Sequence, residues 1–320
     1  MKKKSKIYLA GHIGLVGSTI MRKLESEGYS NIVTRDLSEL DLTRQTEVET
    51  FFAQEKPEYV ILAAARVGGI LANNTYPAEF IYDNIAIQTN IIHTAWKTGV
   101  KRLLFLGSSC IYPRECPQPM KEEHLLTGLL EATNEPYAIA KISGIKMCQS
   151  YNRQYKTNFM AVMPTNLYGK NDNFNLETSH VLPALIRKFH EAKVANKFKA
   201  EVWGTGKPRR EFLYVDDLAD ACIRVMTLED KVFSSLLKDG TTPLLNIGSG
   251  KDISIKELAF LVKDIVEFPG DIEFNSEKPD GTFQKLLDVS RMNSLGWKPE
   301  TGLKEGIKRT YKWCLDNSIF

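Results

Sequence analysis

Apolar residues in the first half of the chain fall into short continuous runs, separated by longer amphipathic stretches. The runs that favour strands are residues 7–10, 31–34, 59–64, 103–106 and 159–163. The stretches between them have helical periodicity, for example from about residue 18 to 27 and from 81 to 97. Continuous apolar strands that alternate with helices predict a parallel sheet covered on both faces. With the right-handed crossover rule, the pattern favours a doubly wound, Rossmann-type α/β fold.

Beyond about residue 170 the pattern is less regular, because loops such as 204–208 and 278–281 interrupt short elements. We therefore predict a dinucleotide-binding domain over residues 1–170, to which some later segments return. Residues 171–320 are predicted to form mainly a smaller, substrate-binding lobe. No long Gly/Ser/Pro linker separates the two parts, so a shared interface is expected.

Charge and cysteine usage exclude several classes of protein. The net charge of +3, from 42 basic and 39 acidic residues, gives no argument for a nucleic-acid partner. No apolar run approaches the roughly 20 residues that a membrane span requires. The five cysteines form no CxxC pair and no His/Cys cluster with zinc spacing. This usage predicts no metal site, no disulfide framework and a reducing, cytoplasmic location.

A glycine triplet follows the first predicted strand and opens the first predicted helix, with the spacing GxxGxxG. Gly11 permits a tight turn, Gly14 lets the backbone approach a pyrophosphate, and Gly17 allows close helix packing. The N-terminus of the helix then presents unpaired N–H groups to the phosphates. The triplet predicts a site for NAD or NADP.

The end of the second strand carries both residues that distinguish the two dinucleotides. Asp36 suits a ribose 2′-hydroxyl and favours NAD, whereas Arg35 suits a 2′-phosphate and favours NADP. The sequence offers both, so the choice stays open at this point. Asp41 and Leu42 follow in the next loop, where they either lie along the adenine or, at Asp41, cap a helix.

Tyr137 and Lys141 form a YxxxK pair, which places both side chains on one face of a helix. A neighbouring ammonium group favours the phenolate and is expected to lower the pKa of the tyrosine from about 10. Ser108 lies at the carboxyl end of the fourth strand, where an open α/β sheet binds its ligands. Together the three residues predict proton transfer at a carbonyl group.

The order of glycine triplet, strand-end serine and YxxxK resembles the short-chain dehydrogenase/reductase superfamily. Longer strings narrow the resemblance to the GDP-L-fucose synthase family, over nearly the whole chain. They cover residues 63–70, 72–77, 106–113, 135–141, 163–169, 210–217 and 278–282. The resemblance implies epimerisation of GDP-4-keto-6-deoxy-mannose at C3 and C5, reduction at C4 with NADPH, and a homodimer.

The resemblance also implies roles for single residues. Tyr137 would protonate the C4 oxygen, Lys141 would support it and hold the nicotinamide ribose, and Ser108 would polarise the carbonyl. Cys110 and His180 match the acid/base pair of the family. Without the resemblance, Cys110 is equally a small buried hydrophobe and His180 a helix-start residue. As an acid or base, the Cys110 thiol needs a lowered pKa, for which a nearby cation is the expected cause.

Two further groups of positions follow from the resemblance. Cofactor contacts are expected at Ile13, Val16, Ala63, Ala64, Leu106, Pro164, Asn166, Leu167 and His180. Contacts to the nucleotide-sugar are expected at Lys188, Trp203, Arg210 and Asp280, in addition to Ser108. A guanidinium at Arg210 suits a diphosphate, whereas Trp203 is also compatible with a place in the core.

Two departures from the family pattern leave alternatives open. The family often has Arg where this chain has Ile13, which weakens the expectation of NADP over NAD. It also tends to have Pro-Arg where this chain has Phe283-Gln284, which indicates an altered sugar pocket. A related GDP-4-keto sugar, such as a heptose, or reduction at C4 without epimerisation therefore stays an alternative. A non-catalytic dinucleotide-binding sensor is the remaining alternative, although such proteins tend to lose the tyrosine or the lysine.

Overall fold

The structure, a computed structural model, describes residues 1–238, 240–278 and 280–320, and does not describe the side chains of residues 70 and 71. Pro279, within one of the strings above, lies outside the described residues. The strands are β1 (Ile7–Ala10), β2 (Ile32–Val33), β3 (Tyr59–Leu62), β4 (Arg102–Leu106), β5 (Phe159–Pro164), β6 (Asn166–Tyr168), β7 (Lys199–Trp203), β8 (Arg209–Tyr214), β9 (Leu244–Ile247), β10 (Asp252–Ser254), β11 (Asp271–Asn275) and β12 (Gln284–Lys285). The helices are α1 (Leu15–Ser26), α2 (Gln45–Glu55), α3 (Ile70–Thr75), α4 (Pro77–Lys97), α5 (Glu135–Tyr155), α6 (Val181–Val194), α7 (Val215–Thr227), α8 (Asp230–Ser235), α9 (Ile255–Val266), α10 (Ser290–Ser294) and α11 (Leu303–Asp316). Short 3₁₀ turns cover Ser109–Ile111, Glu122–His124 and Ala132–Asn134.

Six parallel strands form the central sheet, in the order β2-β1-β3-β4-β5-β9. The predicted doubly wound, Rossmann-type sheet is confirmed. From β1 the chain moves outwards to β2 and then crosses to β3 on the other side. This reversal of strand order opens a crevice at the carboxyl ends of β1 and β3, where such sheets bind ligands.

Both faces of the sheet are buried, as the continuous apolar runs require. In β1, Tyr8 and Ala10 belong to one apolar core and Ile7 and Leu9 to the other. The first core includes residues of α2, α4 and α5, and the second includes residues of α1 and α7. Successive strand residues point to opposite faces, so every position of such a strand is apolar.

The later part of the chain builds smaller sheets around a third apolar core. Strands β10, β8 and β12 are neighbours, β6 also pairs with β8, and β7 pairs with β11. Helices α6, α9 and α11 supply much of the third core. Strand β9 and helix α7 belong instead to the central sheet and its second core. The division of the chain near residue 170 stays a prediction.

Two helices begin earlier than predicted. Helix α1 begins at Leu15, since Gly14 has the extended backbone of an N-cap, and Gly17 therefore lies inside the helix. Helix α4 begins at Pro77, which suits the first turn because proline lacks an N–H donor. None of the described helices combines the length and apolar character needed to cross a membrane.

Candidate active site

The glycine turn between β1 and α1 is shaped by close backbone contacts. Gly11 has φ +84°, and a Cβ at Gly11 would lie 2.6 Å from the Cα of Ala64. A Cβ at Gly17 would lie 1.9 Å from the Gly11 carbonyl oxygen. Larger residues at Gly11 and Gly17 would therefore separate α1 from the sheet. A Cβ at Gly14 would meet only the Gly11 oxygen, at 3.9 Å, so this side of the turn is open.

The other residues expected near the cofactor lie around the glycine turn, at the carboxyl ends of the central strands. Ala63 follows β3 and donates its N–H to the Ala10 oxygen at 3.0 Å. Val16 packs against the second core and Leu42 against the first. Pro164 is the buried last residue of β5. Ile13, by contrast, is 66% exposed on the rim of the glycine turn.

Arg35 and Asp36 both form hydrogen bonds with neighbouring protein groups. Arg35 forms a salt bridge with Glu55 at 2.9 Å and donates to the Thr34 oxygen at 2.7 Å. The Asp36 carboxylate accepts from the N–H groups of Ser38 at 2.8 Å and Glu39 at 3.1 Å. The hydrogen bond from the Ser38 hydroxyl lowers the pKa of Asp36. The carboxylate thus closes a turn, whichever dinucleotide binds.

Asp41 does not cap a helix, so that interpretation is wrong. The N-cap of α2 is Arg44. The Asp41 carboxylate accepts from the N–H of Thr43 at 2.9 Å and from its hydroxyl at 2.7 Å. This short-range pairing closes a turn before the helix begins, which is a common use of aspartate.

Helix α5 places Tyr137 and Lys141 on one face, as their spacing predicts. Lys141 is 3% exposed and donates from Nζ to the Leu106 oxygen at 2.8 Å. Its ammonium lies 5.7 Å from the centre of the Tyr137 ring. Burial lowers the pKa of Lys141 to about 8. The lysine is held between the end of β4 and the tyrosine.

The expected lowering of the Tyr137 pKa is wrong for this structure. Burial of the phenol raises its pKa well above the usual value, and the hydrogen bond with Ser108 opposes this only in part. The Lys141 ammonium is turned towards the Leu106 carbonyl. The phenol therefore stays protonated at neutral pH, as a proton donor must.

Cys110 lies in the 3₁₀ turn that follows β4 and is 7% exposed. Burial raises the pKa of its thiol, while a hydrogen bond with Ser108 and the charges of Lys285 and Lys141 act in the opposite direction. The expected cations are present, but the expected net lowering of the pKa is wrong because desolvation is the larger effect. Lys285 was missed by the sequence reasoning, although it directly follows the departure at Phe283-Gln284.

His180 is both a helix-start residue and part of a cleft wall. It is the N-cap of α6, in extended conformation, and its side chain is accessible to solvent. The protein around the imidazole nevertheless lowers its pKa by desolvation. The ring is therefore neutral near pH 7, so that it can accept a proton at one nitrogen and donate from the other.

One cleft of about 1070 Å³ brings most of the predicted catalytic and substrate residues together. Its walls include Ser108, Cys110, Tyr137, Asn166, Leu167, His180, Lys188, Trp203, Arg210 and Asp280. Lys141 lies behind Tyr137, and the Arg35–Leu42 region, after the carboxyl end of β2, does not line this cleft. The cleft also includes polar residues for which the sequence predicted no role, among them Asn73, Gln118 and Asn134.

The end of the cleft formed by β7 and the loop after β11 carries an accessible aromatic ring between cations. Trp203 is 57% exposed, so the alternative place in the core is wrong. The ammonium groups of Lys188 and Lys278 lie 5.0 Å and 5.3 Å from its ring centre. Burial lowers the pKa of Arg210, and the Asp280 charge opposes this. Asp280 accepts from the Thr205 hydroxyl at 2.6 Å.

Comparison with known proteins agrees with this geometry. Residues 7–235 match the NAD dependent epimerase/dehydratase family. The chain is 58% identical to GDP-L-fucose synthase 1 of Arabidopsis thaliana, over 98% of the chain and 94% of that relative. The chain belongs to the GDP-L-fucose synthase family. It is 53% identical to the GDP-L-fucose synthase of Escherichia coli (strain K12), over 98% of each chain.

A solved structure points to a neighbouring activity within the same fold. MlghC, a GDP-mannoheptose C4 reductase from Campylobacter jejuni with NADP bound, is 44% identical and has a TM-score of 0.90. The match covers 98% of this chain and 99% of that one. Membership of the GDP-L-fucose synthase family makes this chain an NAD(P)-dependent epimerase/reductase with a nicotinamide dinucleotide cofactor, so the non-catalytic alternative is set aside.

Proposed function

We propose that this chain converts GDP-4-keto-6-deoxy-mannose into GDP-L-fucose, by epimerisation at C3 and C5 and reduction at C4. One observation carries the proposal. Ser108, Cys110, Tyr137 and His180 share a single cleft, with Lys141 directly behind the tyrosine. An acid/base pair and a carbonyl-reducing tyrosine are both needed for this reaction, and simple reduction needs only the tyrosine.

The epimerisation uses the acidity of protons next to the C4 ketone. Cys110 and His180 remove a proton from C3 or C5 and return one to the opposite face. Ser108 donates a hydrogen bond to the C4 oxygen, which carries the negative charge of the enolate. The neutral imidazole suits the removal of a proton, and the protonated thiol suits the return of one. The Lys285 and Lys141 charges favour the thiolate, which with a protonated imidazole would exchange these roles.

Reduction at C4 uses the same hydrogen bonds to the C4 oxygen. NADPH, when bound at the glycine turn, supplies the hydride. Tyr137 gives its proton to the C4 oxygen, and its raised pKa keeps that proton on the phenol until the oxygen becomes strongly basic. Lys141, half of whose population is charged near pH 8, then stabilises the phenolate that is left.

The nucleotide half of the substrate fits the far end of the cleft. The exposed face of Trp203 is suited to stacking on a purine base. Arg210 and Lys188 supply positive charge for the diphosphate, and the partial burial of Arg210 strengthens its attraction for an anion. Asp280 offers a carboxylate for donors on the ligand.

For the cofactor, we propose NADP rather than NAD. The N-terminus of α1 fits a dinucleotide phosphate, since it has no side-chain cap, no acidic residue in its first turn and an open side at Gly14. Arg35 supplies a guanidinium for the 2′-phosphate. The Asp36 carboxylate closes a turn, and the N–H groups that donate to it partly neutralise its negative charge, which would otherwise repel the phosphate. The NADP in the Campylobacter jejuni reductase supports the same choice.

A second candidate is reduction at C4 of a related GDP-4-keto sugar, such as a heptose, with or without epimerisation. Phe283 lines the cleft and is 69% exposed, and the neighbouring Gln284 donates its amide to Asp252 at 2.6 Å. An exposed ring at this position changes the shape of the pocket near the sugar. The 44% identical GDP-mannoheptose C4 reductase favours this candidate.

One experiment separates the candidates. Purified protein is mixed with GDP-4-keto-6-deoxy-mannose in D2O, together with NADPH or NADH. GDP-fucose that carries deuterium at C3 and C5, formed faster with NADPH, is the expected result. A reduced 6-deoxy sugar without deuterium would support reduction alone, and absence of turnover would direct the test to GDP-4-keto-heptoses. A homodimer and a cytoplasmic location stay predictions, the first of them open to light scattering.

A further inference from the structure

Asn73 is a buried polar residue that the mechanism above does not use. It lies in α3, directly after the Gly68–Gly69 turn, and is 5% exposed. Asn73 Nδ2 donates to the carbonyl oxygens of Gly68 at 2.8 Å and Gly69 at 3.0 Å. Two carbonyl acceptors fix the orientation of the amide group. The side chain therefore holds this turn in one conformation.

On one side, the turn lies against Phe80, the residue that packs on the catalytic tyrosine. A Cβ at Gly68 would lie 3.1 Å from Cζ of Phe80. The Phe80 ring in turn meets the Tyr137 ring edge-on, with centres 6.1 Å apart and planes at 84°. Tyr137 does not depend on this contact alone, because helix α5 packs along α4.

On the other side the turn contacts the segment that ends at His180. Gly69 donates its N–H to the Thr178 oxygen at 3.2 Å. A Cβ at Gly69 would lie 3.1 Å from that oxygen and 3.3 Å from the Ser179 oxygen. A second bond, from Asn171 Nδ2 to Ser18 Oγ at 3.0 Å, ties the start of the segment to α1. Near His180, the Gly69 N–H ties the segment to the α3 turn, while Ser179 donates its N–H to the Asn175 oxygen within the segment at 2.8 Å.

We propose that Asn73 is a positioning residue that sets His180 against the substrate, acting through the Gly69–Thr178 hydrogen bond. The inference rests on the proposed function, in which His180 moves a proton at C3 or C5. Tyr137 lies in the first turn of α5, which packs along α4, whereas His180 is the N-cap of α6 and the residues just before it contact this turn. Loss of the Asn73 donors should therefore impair proton exchange far more than hydride transfer.

The test uses Asn73→Asp, which keeps the size of the side chain but has no N–H to give to the two carbonyls. Proton exchange is measured as deuterium incorporation into GDP-4-keto-6-deoxy-mannose without NADPH. Hydride transfer is measured separately, as single-turnover oxidation of GDP-L-fucose by NADP⁺, because that step precedes any loss of a C3 or C5 proton. We expect exchange to fall by about tenfold or more, as small misplacements of catalytic groups do, with hydride transfer nearly unchanged.

Two further variants make the test specific. Gly69→Ala leaves Asn73 intact but presses a methyl group on the Thr178 oxygen, so it should reproduce the selective loss. Asn74→Ala alters the exposed neighbour in the same helix and should match the wild type. Equal losses of exchange and hydride transfer in Asn73→Asp, or no loss at all, would overturn the inference. If the wild-type protein itself exchanges no deuterium, the proposed epimerisation fails and the inference fails with it.

Discussion

Lys285 and Cys110 are electrostatic neighbours in the cleft, and each shifts the pKa of the other towards its charged form. Burial opposes both shifts and is the larger effect on each group. A cysteine in this setting is mostly a thiol at neutral pH, and its small thiolate fraction depends on the cations around it. The pair thus connects β12, which ends at Lys285, with the acid/base chemistry after β4.

Replacement of Lys285 by Met should therefore raise the pKa of Cys110 further. We expect deuterium exchange at C3 and C5 to slow at pH 7, because a smaller fraction of Cys110 is then thiolate. The alkaline rise of the exchange rate should move to higher pH. Lys285→Arg, which retains the charge, serves as the control. Equal pH profiles for the wild type and Lys285→Met would contradict a role for this charge.

Replacement of Tyr137 by Phe removes the group that protonates the C4 oxygen. Reduction should fall by about 10²–10⁴-fold, which is typical of the loss of a general acid. Cofactor binding, followed by NADPH fluorescence, should be almost unchanged, since Phe retains the ring that packs against Phe80. Unimpaired reduction in this variant would contradict the role of Tyr137 as the proton donor to the C4 oxygen.

Arg35 tests the choice of cofactor. In Arg35→Ala, the KM for NADPH should rise by about tenfold, the usual size of a lost charge-assisted hydrogen bond, while the KM for NADH stays the same. Arg44→Ala, at a more exposed arginine nearby, is a matched control. If both cofactors are affected equally, the Arg35–Glu55 pair has a structural role and does not select the 2′-phosphate.

Asp172 introduces a pH dependence of stability. Burial raises its pKa to about 7 from an ordinary 3.8, and among the described residues its Oδ2 has no hydrogen-bond partner. Since the folded state raises the pKa, the protonated carboxyl stabilises the fold, and this contribution is lost as pH rises towards 7. Asp172→Asn cannot ionise and retains an acceptor for the Asn173 N–H, bonded at 2.7 Å. Its Tm should exceed that of the wild type more at about pH 8 than at about pH 5.

The control for this prediction is Glu177→Gln, which removes a charge from an exposed position of the same segment. Thermal unfolding of the three proteins, followed by circular dichroism at both pH values, provides the comparison. A constant difference in Tm between Asp172→Asn and the wild type would mean that the carboxyl has the same charge at both pH values.

Much of the fold was predictable because its signals are local. Side chains of a strand alternate between the two faces of the sheet, and here both faces are buried. The strands of the central sheet are therefore continuously apolar, which distinguishes them from the amphipathic helices. A tight turn requires the glycine triplet, and the contacts of Gly11 and Gly17 show why no larger residue fits there. The face shared by Tyr137 and Lys141 follows from the pitch of a helix alone.

The states of the site residues were not predictable in the same way. The pKa directions of Tyr137 and Cys110 were wrong because burial depends on the whole fold, and a neighbouring charge does not outweigh desolvation in this cleft. The sequence did not decide whether Trp203 is buried or lines the cleft, because tryptophan occurs in both environments. The helix-cap alternative for Asp41 was wrong because Asx turns and helix caps use the same side chain.

By itself, then, the sequence determined the parallel sheet, the dinucleotide turn and the pairing of Tyr137 with Lys141, since each depends on spacings of a few residues. Tertiary structure alone decided which distant residues share the cleft. Lys285 approaches Cys110, and Asn73 connects to His180, only because strand β12 and the loops after β3 and β4 converge on one cleft. Burial and electrostatic fields arise from that convergence, and no local pattern of residues encodes them.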